Sequence, residues 1–168
     1  NNLNILSSNL FSYVPQNAFI FNFSIKENIL LSNDIGDENL ITDVLKETNL
    51  LEKISKLPDG LNTILGESGK YFSGGEIQRL TISRCLYHKK KIIILDEPTS
   101  SIDKINEKKI KELFLKLKKK GITIIIVAQN LDLMKNCDHI YLLDNGEIVN
   151  SGKYSMLIKS ESLFSKLI

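Results

Sequence analysis

Little in the sequence ties it to an oxidising compartment or a lipid bilayer. Its two cysteines, Cys85 and Cys137, have no paired spacing and no His-rich context. That excludes a disulfide framework or a Cys/His metal site, and reads as small core residues in a reducing compartment. No apolar run approaches the roughly 18–20 residues that a membrane-crossing helix needs, and no signal peptide is expected from these residues. Net charge is +2, too near neutrality to argue for nucleic acid as a partner. The lysine-rich runs 88–91 and 116–120 read as solvated helix ends. Repeats and low-complexity linkers are missing too. The chain begins Asn1-Asn2-Leu3 without an initiating Met, so a piece of a longer protein is expected. It also lacks a G-x-x-x-x-G-K-S/T loop, the sequence that cradles nucleotide phosphates. Residues 66–71 come nearest, with the wrong spacing, so such a loop lies upstream of Asn1 or does not exist.

What is present suits one ordinary domain with a proper core: 168 residues, 42% hydrophobic and 25% charged. The organising stretch is Lys91 to Asp103, KIIILDEPTSSID. Ile92 to Leu95 is the apolar run of a strand buried on both faces, as in the middle of a parallel sheet. Pro98 stops it after Asp96 and Glu97. Neighbours on an extended chain point to opposite sides, so the two acids have different jobs. Such a pair suits Mg²⁺ coordination by one carboxylate and water activation by the other. Alone, the string also suits a strand end with solvated acids at a turn.

Along the chain, Leu3, Ile5 and Leu6 suggest a short edge segment, and Phe11 to Val14 a strand closed by Pro15, with Gln16 beyond it. Ser24 and Glu27 form a capping box for a helix whose apolar face is Ile25, Ile29 and Leu30. Helices follow over Asp37 to Thr48 and Leu50 to Leu57, before the turn at Pro58-Asp59-Gly60. Ser73 and Glu76 make a second capping box, and Gly74 and Gly75 leave the backbone N–H groups of that helix start open. A bared helix start with a Ser hydroxyl suits phosphate; an ordinary capped helix with packing glycines fits equally. Residues from about 24 to 88 therefore read as an all-helical lobe between strands. Asp103 caps the next helix, with Ile110, Leu113, Phe114 and Leu117 on its apolar face and Gly121 at its end. Ile122 to Ala128 reads as a second buried strand ending at Gln129, followed by a short helix from about Leu131. His139 to Leu143 and Glu147 to Val149 flank Asp144-Asn145-Gly146, a hairpin signal. The tail from Lys153 reads as amphipathic helix. Alternating strands and helices predict an α/β fold with a mostly parallel, doubly wound sheet. Gln16, Asp96 with Glu97, and Gln129 all follow strand carboxyl ends, the edge where such sheets bind ligands.

In this order the motifs resemble the nucleotide-binding (ATPase) domain of ABC transporters, exporter type, without its N-terminal Walker A part. Tyr13-Val14-Pro15-Gln16 looks like the Q-loop, Phe72-Ser73-Gly74-Gly75-Glu76 the signature motif, Ile92 to Glu97 Walker B, and Ser100-Ser101-Ile102-Asp103 the D-loop. Phe19-Ile20-Phe21 and Ser24 to Ile29 are similar to exporter-type members, in which the same polypeptide carries a transmembrane domain upstream. Single motifs of this kind are weak; the set, at family spacing over nearly the whole chain, is strong.

The resemblance implies a partial P-loop NTPase-like, mostly parallel sheet with an inserted all-helical subdomain. Residues 1–23 would be the sheet segment with the Q-loop, 24–88 the helical signature subdomain, and 89–168 the Walker B and switch-loop part with a C-terminal hairpin and helices. It implies ATP and Mg²⁺ as cofactors, and a head-to-tail dimer with a second nucleotide-binding domain. It also implies a transmembrane domain, no nucleic acid, and a place on the cytoplasmic side of a membrane. Carried over by position, Gln16 would contact Mg²⁺ and sense the γ-phosphate, Asp96 would hold Mg²⁺ through water, and Glu97 would polarise the attacking water. Ser73, Gly74, Gly75 and Glu76 would face the partner's nucleotide, and Asp103 would couple the two sites. The sequence departs from the family at Gln129, where the switch histidine is expected, and at Glu76, usually Gln. A Gln can donate to phosphate but carries no positive charge. Two other readings stand beside the exporter: a non-catalytic half that offers only its signature motif, and a soluble ABC ATPase outside transport.

Overall fold

The structure is a computed structural model that describes residues 10–31, 35–66, 71–100, 102–129 and 131–159. The expected edge segment at Leu3, Ile5 and Leu6 and the tail beyond residue 159 lie outside these, as does Ser101 of the D-loop-like stretch. The chain divides into two compact units, 1–127 and 128–168.

In the first unit, three parallel strands run side by side: β1 (Phe11–Val14), β2 (Ile92–Asp96) and β3 (Thr123–Val127), in that order. Val14 pairs with Leu95 and Asp96 with Val127, so all three carboxyl ends share one edge. The apolar run Ile92–Leu95 is central, as its composition requires, and Ile93 and Leu95 are fully buried. Among the described residues the other predicted buried strand, β3, has a single neighbour, and Ile125 and Val127 are 48% and 56% exposed. Their alternation with half-buried Ile124 and Ile126 shows that the described residues cover one of its faces.

Between β1 and β2 the chain is helical: α1 (Ile25–Leu30), α2 (Glu38–Glu47), α3 (Leu51–Ser55), a 3₁₀ turn (Gly60–Asn62) and α4 (Gly74–Tyr87). The caps follow local chemistry. Ser24 accepts from Glu27 N at 3.2 Å while Glu27 accepts from Ser24 N at 2.8 Å, and Asp37 accepts from the N–H groups of Asn39 and Leu40. The apolar faces of these helices, Ile25, Ile29, Ile41, Leu45, Ile54 and Leu80 among them, meet in one core. Helix α5 (Lys104–Lys119) packs on β3 and on α4, burying Ile110, Leu113, Phe114 and Leu117, the four residues its spacing predicts. Gly121 follows it at φ +77°, a conformation that costs glycine little.

In the second unit, α6 (Leu131–Met134) precedes the hairpin of β4 (Ile140–Asp144) and β5 (Glu147–Gly152), and α7 (Tyr154–Leu157) closes the described part. The turn residues Asn145 and Gly146 both have positive φ, 49° and 82°, as a tight hairpin turn requires. Ile140 and Leu157 form its core. No helix among the described residues is long and apolar enough to cross a membrane.

Candidate functional site

Two groups of polar side chains stand out in the first unit. The first sits at the carboxyl edge of the sheet, where parallel strands stop and the backbone turns. β1 ends at Val14, and Pro15 carries Gln16 just beyond. Its amide Nε2 donates to Glu97 Oε2 at 2.8 Å and to Ser100 Oγ at 3.3 Å. Glu97 takes a positive φ of 41°, costly for a residue with a Cβ and of the kind that gathers where a side chain must be aimed. Its N–H donates to Val127 O at 2.8 Å, and its own carbonyl accepts from Ser100 N and Ser100 Oγ. The strained turn is therefore tied down from both sides. Asp96, the last residue of β2, accepts at Oδ2 from the Tyr13 hydroxyl at 2.8 Å. That hydrogen bond, first, then desolvation and the negative charge of Asp96, raise the tyrosine above its ordinary value.

Strand alternation is visible in this group: Asp96 meets Tyr13, and Glu97 meets Gln16. A carboxylate and an amide oxygen are hard donors. Among the described residues no group of three or more His, Cys, Asp and Glu could hold a metal ion by itself. Mg²⁺ takes one or two carboxylates and draws its other ligands from phosphate and water, so a set this sparse would fit it only beside a phosphate.

The second group lies where two helices start. Ser73 caps α4, and Glu76 turns back so that its Oε2 accepts from Ser73 N at 2.8 Å. The same oxygen receives Lys53 Nζ at 2.6 Å. Desolvation pushes the Glu76 carboxyl up, but Lys53 and Ser73 outweigh it and hold it below the usual range. Asp103 caps α5, accepting from Ile105 N and Asn106 N, both at 3.0 Å, and from Asn106 Nδ2 at 2.6 Å. The backbone bond from Asn106, followed by its side chain, lowers the Asp103 carboxyl. Asn106 Oδ1 in turn accepts from Arg79 Nη1 of α4 at 2.9 Å. Ser73–Glu76 and Asp103 are thus joined through Arg79 and Asn106.

Gln129 belongs to neither group of the first unit. It is exposed, two residues past the end of β3 and inside the second unit. Sequence reasoning named Tyr13 and Ser100 as members of motifs without giving either a role, and it passed over Lys53, Arg79 and Asn106, which belong to helices whose polar positions look like solvated faces.

The sequence profile of the family described as ABC transporter matches residues 5–100. A protein of Rickettsia typhi named as an export ATP-binding/permease protein is 36% identical over 156 residues, 93% of this chain and 27% of that protein. An ATP-dependent lipid A-core flippase of Saccharophagus degradans is 38% identical over 154 residues, 92% of this chain and 26% of that one. The chain thus spans about a quarter of the length of these relatives. A solved bacterial Atm1-family ABC exporter with ATP bound superposes with a TM-score of 0.84 at 29% identity, over 95% of this chain and 28% of that chain.

Proposed function

The chain belongs to the ABC transporter family, and from that premise we propose that it acts in an ATP-hydrolysing domain that pairs head to tail with a second such domain to drive export across a membrane. The observation that carries this reading is the Gln16–Glu97 hydrogen bond of 2.8 Å, made by a glutamate held at positive φ where parallel strands end. It is a geometry for aiming one carboxylate.

In this reading Glu97 orients and polarises the attacking water, and Gln16 fixes the carboxylate while offering its amide oxygen to the nucleotide side. Asp96 and Gln16 would hold Mg²⁺, which supplies charge neutralisation to the phosphates. Ser73, Gly74, Gly75 and Glu76 form the surface that meets the γ-phosphate of the partner's nucleotide, and Asp103 links that surface to the second site. Gln129 takes the position of the switch residue as a neutral donor. Residues 1–23, 24–88 and 89–168 would serve as Q-loop segment, helical signature subdomain, and Walker B and switch part. An exposed ridge of Phe19, Phe21 and Phe23, with successive rings 5.0 and 5.9 Å apart, suits a protein contact. We assign it to a transmembrane domain on the same polypeptide, which would put this domain on the cytoplasmic side.

Steady-state phosphate release by the full-length protein tests the reading: saturable turnover that needs both ATP and Mg²⁺ is expected. A fluorescent ATP analogue that binds without turnover would instead favour the non-catalytic half, the reading that Gln129 supports. Neither binding nor turnover would overturn both.

A further inference from the structure

Glu76 places a carboxylate in the first turn of α4, the helix start proposed above to meet a phosphate. An acid suits a helix start on its own account, because it answers the unpaired N–H groups and the positive end of the dipole. It is a poor neighbour for a phosphate, since two anions at one helix end repel. The structure holds an answer to this conflict. Lys53, from the short helix α3, lies 2.6 Å from Glu76 Oε2. Its Nζ is 5.1 Å from the centroid of the Phe72 ring, the residue directly before Ser73. One ammonium therefore touches both the acid and the segment that leads into the helix. The glutamate side chain is 18% exposed and the lysine 36%, so water screens the pair only in part.

We propose that Lys53 is a positioning residue of the Ser73–Glu76 surface: it neutralises Glu76 and holds it back against Ser73 N, leaving the helix start open to a phosphate oxyanion. This rests on the function proposed above. The pair also explains how an acid can stand where the family usually has a neutral amide. With Glu76 cancelled by Lys53, the Ser73 hydroxyl and the N–H groups after it face the anion without an opposing charge. Lys53 touches no phosphate in this arrangement and acts through Glu76.

The test uses the full-length protein and three measurements. Lys53→Met should raise the ATP concentration for half-maximal turnover by roughly two- to fivefold, the size of a charge effect at a helix start, with kcat little changed. A fluorescent ATP analogue should bind more weakly by the same factor. In a Glu76→Gln background, Lys53→Met should produce no further shift relative to Glu76→Gln alone, because no charge is left to cancel. Lys53→Arg should restore the wild-type value. The third readout is independent of nucleotide: the Glu76 carboxyl, followed by ¹³C NMR against pH, should titrate below the ordinary glutamate range and move up in Lys53→Met. Its depressed value means that the pair's stabilisation is present above the unfolded glutamate pKa and lost as pH falls through the folded one. An equal shift in both backgrounds, or a carboxyl that does not move, overturns the inference while leaving the ATPase reading intact. Absence of ATP binding in the wild type overturns both, even if the carboxyl moves.

Discussion

A Cβ built on Gly75 would lie 2.6 Å from Asn106 Cβ and 2.9 Å from its Cγ. The starts of α4 and α5 approach each other so closely that only a glycine fits between them. The side chain it would strike is not free to swing away, because Asn106 is held by Asp103 on one side and Arg79 on the other.

Gly75→Ala should therefore push the two helix starts apart and destabilise the first unit by about 1–3 kcal/mol, the usual cost of overpacking. Thermal melting of the full-length protein would register the loss. ATP turnover should fall further than stability alone explains, since both Ser73–Glu76 and Asp103 ride on the displaced helices. An unchanged melting temperature would mean that α5 yields without cost.

Arg84 supports a different join. Its Nε donates to Asn28 O at 2.6 Å, Nη2 to Asn28 Oδ1 at 2.7 Å, and Nη1 to Phe19 O at 2.7 Å. Asn28 is itself bonded to Phe21 N and O, Phe23 O and Ser24 O. Burial pushes the guanidinium down to about 10, still charged at neutral pH. Arg84→Lys keeps the charge but loses the planar fork. It should cost about 1–3 kcal/mol for each carbonyl left without a donor. Denaturant unfolding measures it, and proteolysis after Phe19, Phe21 and Phe23 should speed up as the segment loosens.

Glu97→Gln keeps the size of the side chain and its contact with Gln16 but removes the negative charge. Turnover in the full-length protein should fall on the order of 10²–10⁴-fold, the range for loss of a general base, while the fluorescent ATP analogue still binds. Near wild-type phosphate release would make Glu97 a structural acid and favour the non-catalytic reading.

Gln129→His bears on the residue that separates the catalytic from the non-catalytic reading. A hydrogen-bond donor aimed at a transition state is typically worth roughly 2.7–4 kcal/mol, and a charged one acts on the same oxygens more strongly. If Gln129 limits turnover, the substitution should raise phosphate release at saturating ATP by about tenfold or more, with little change in ATP affinity. No gain over a wild type that already turns over would show that the amide serves adequately.

Much of the fold is legible because its signals are local. Ser24 with Glu27, Asp37, Ser73 with Glu76, Asp103, Gly121 and Asn145-Gly146 each act within about four residues of themselves, through one cap or one turn. The caps, the spacing of Ile110, Leu113, Phe114 and Leu117, and the apolar run 92–95 therefore set the helices, the hairpin and the central strand before any tertiary contact forms. They also place Gln16, Asp96 and Glu97 at strand ends. The tertiary structure alone decided which side chains meet. Tyr13 reaches Asp96 across 83 residues, Gln16 reaches Glu97 across 81, Arg84 reaches Asn28 across 56, Arg79 reaches Asn106 across 27 and Lys53 reaches Glu76 across 23. It also decided that, among the described residues, β3 pairs with β2 alone and has one face covered. Composition reports what a strand can tolerate; burial depends on the neighbours that pack against it, and those are brought together only by the tertiary fold.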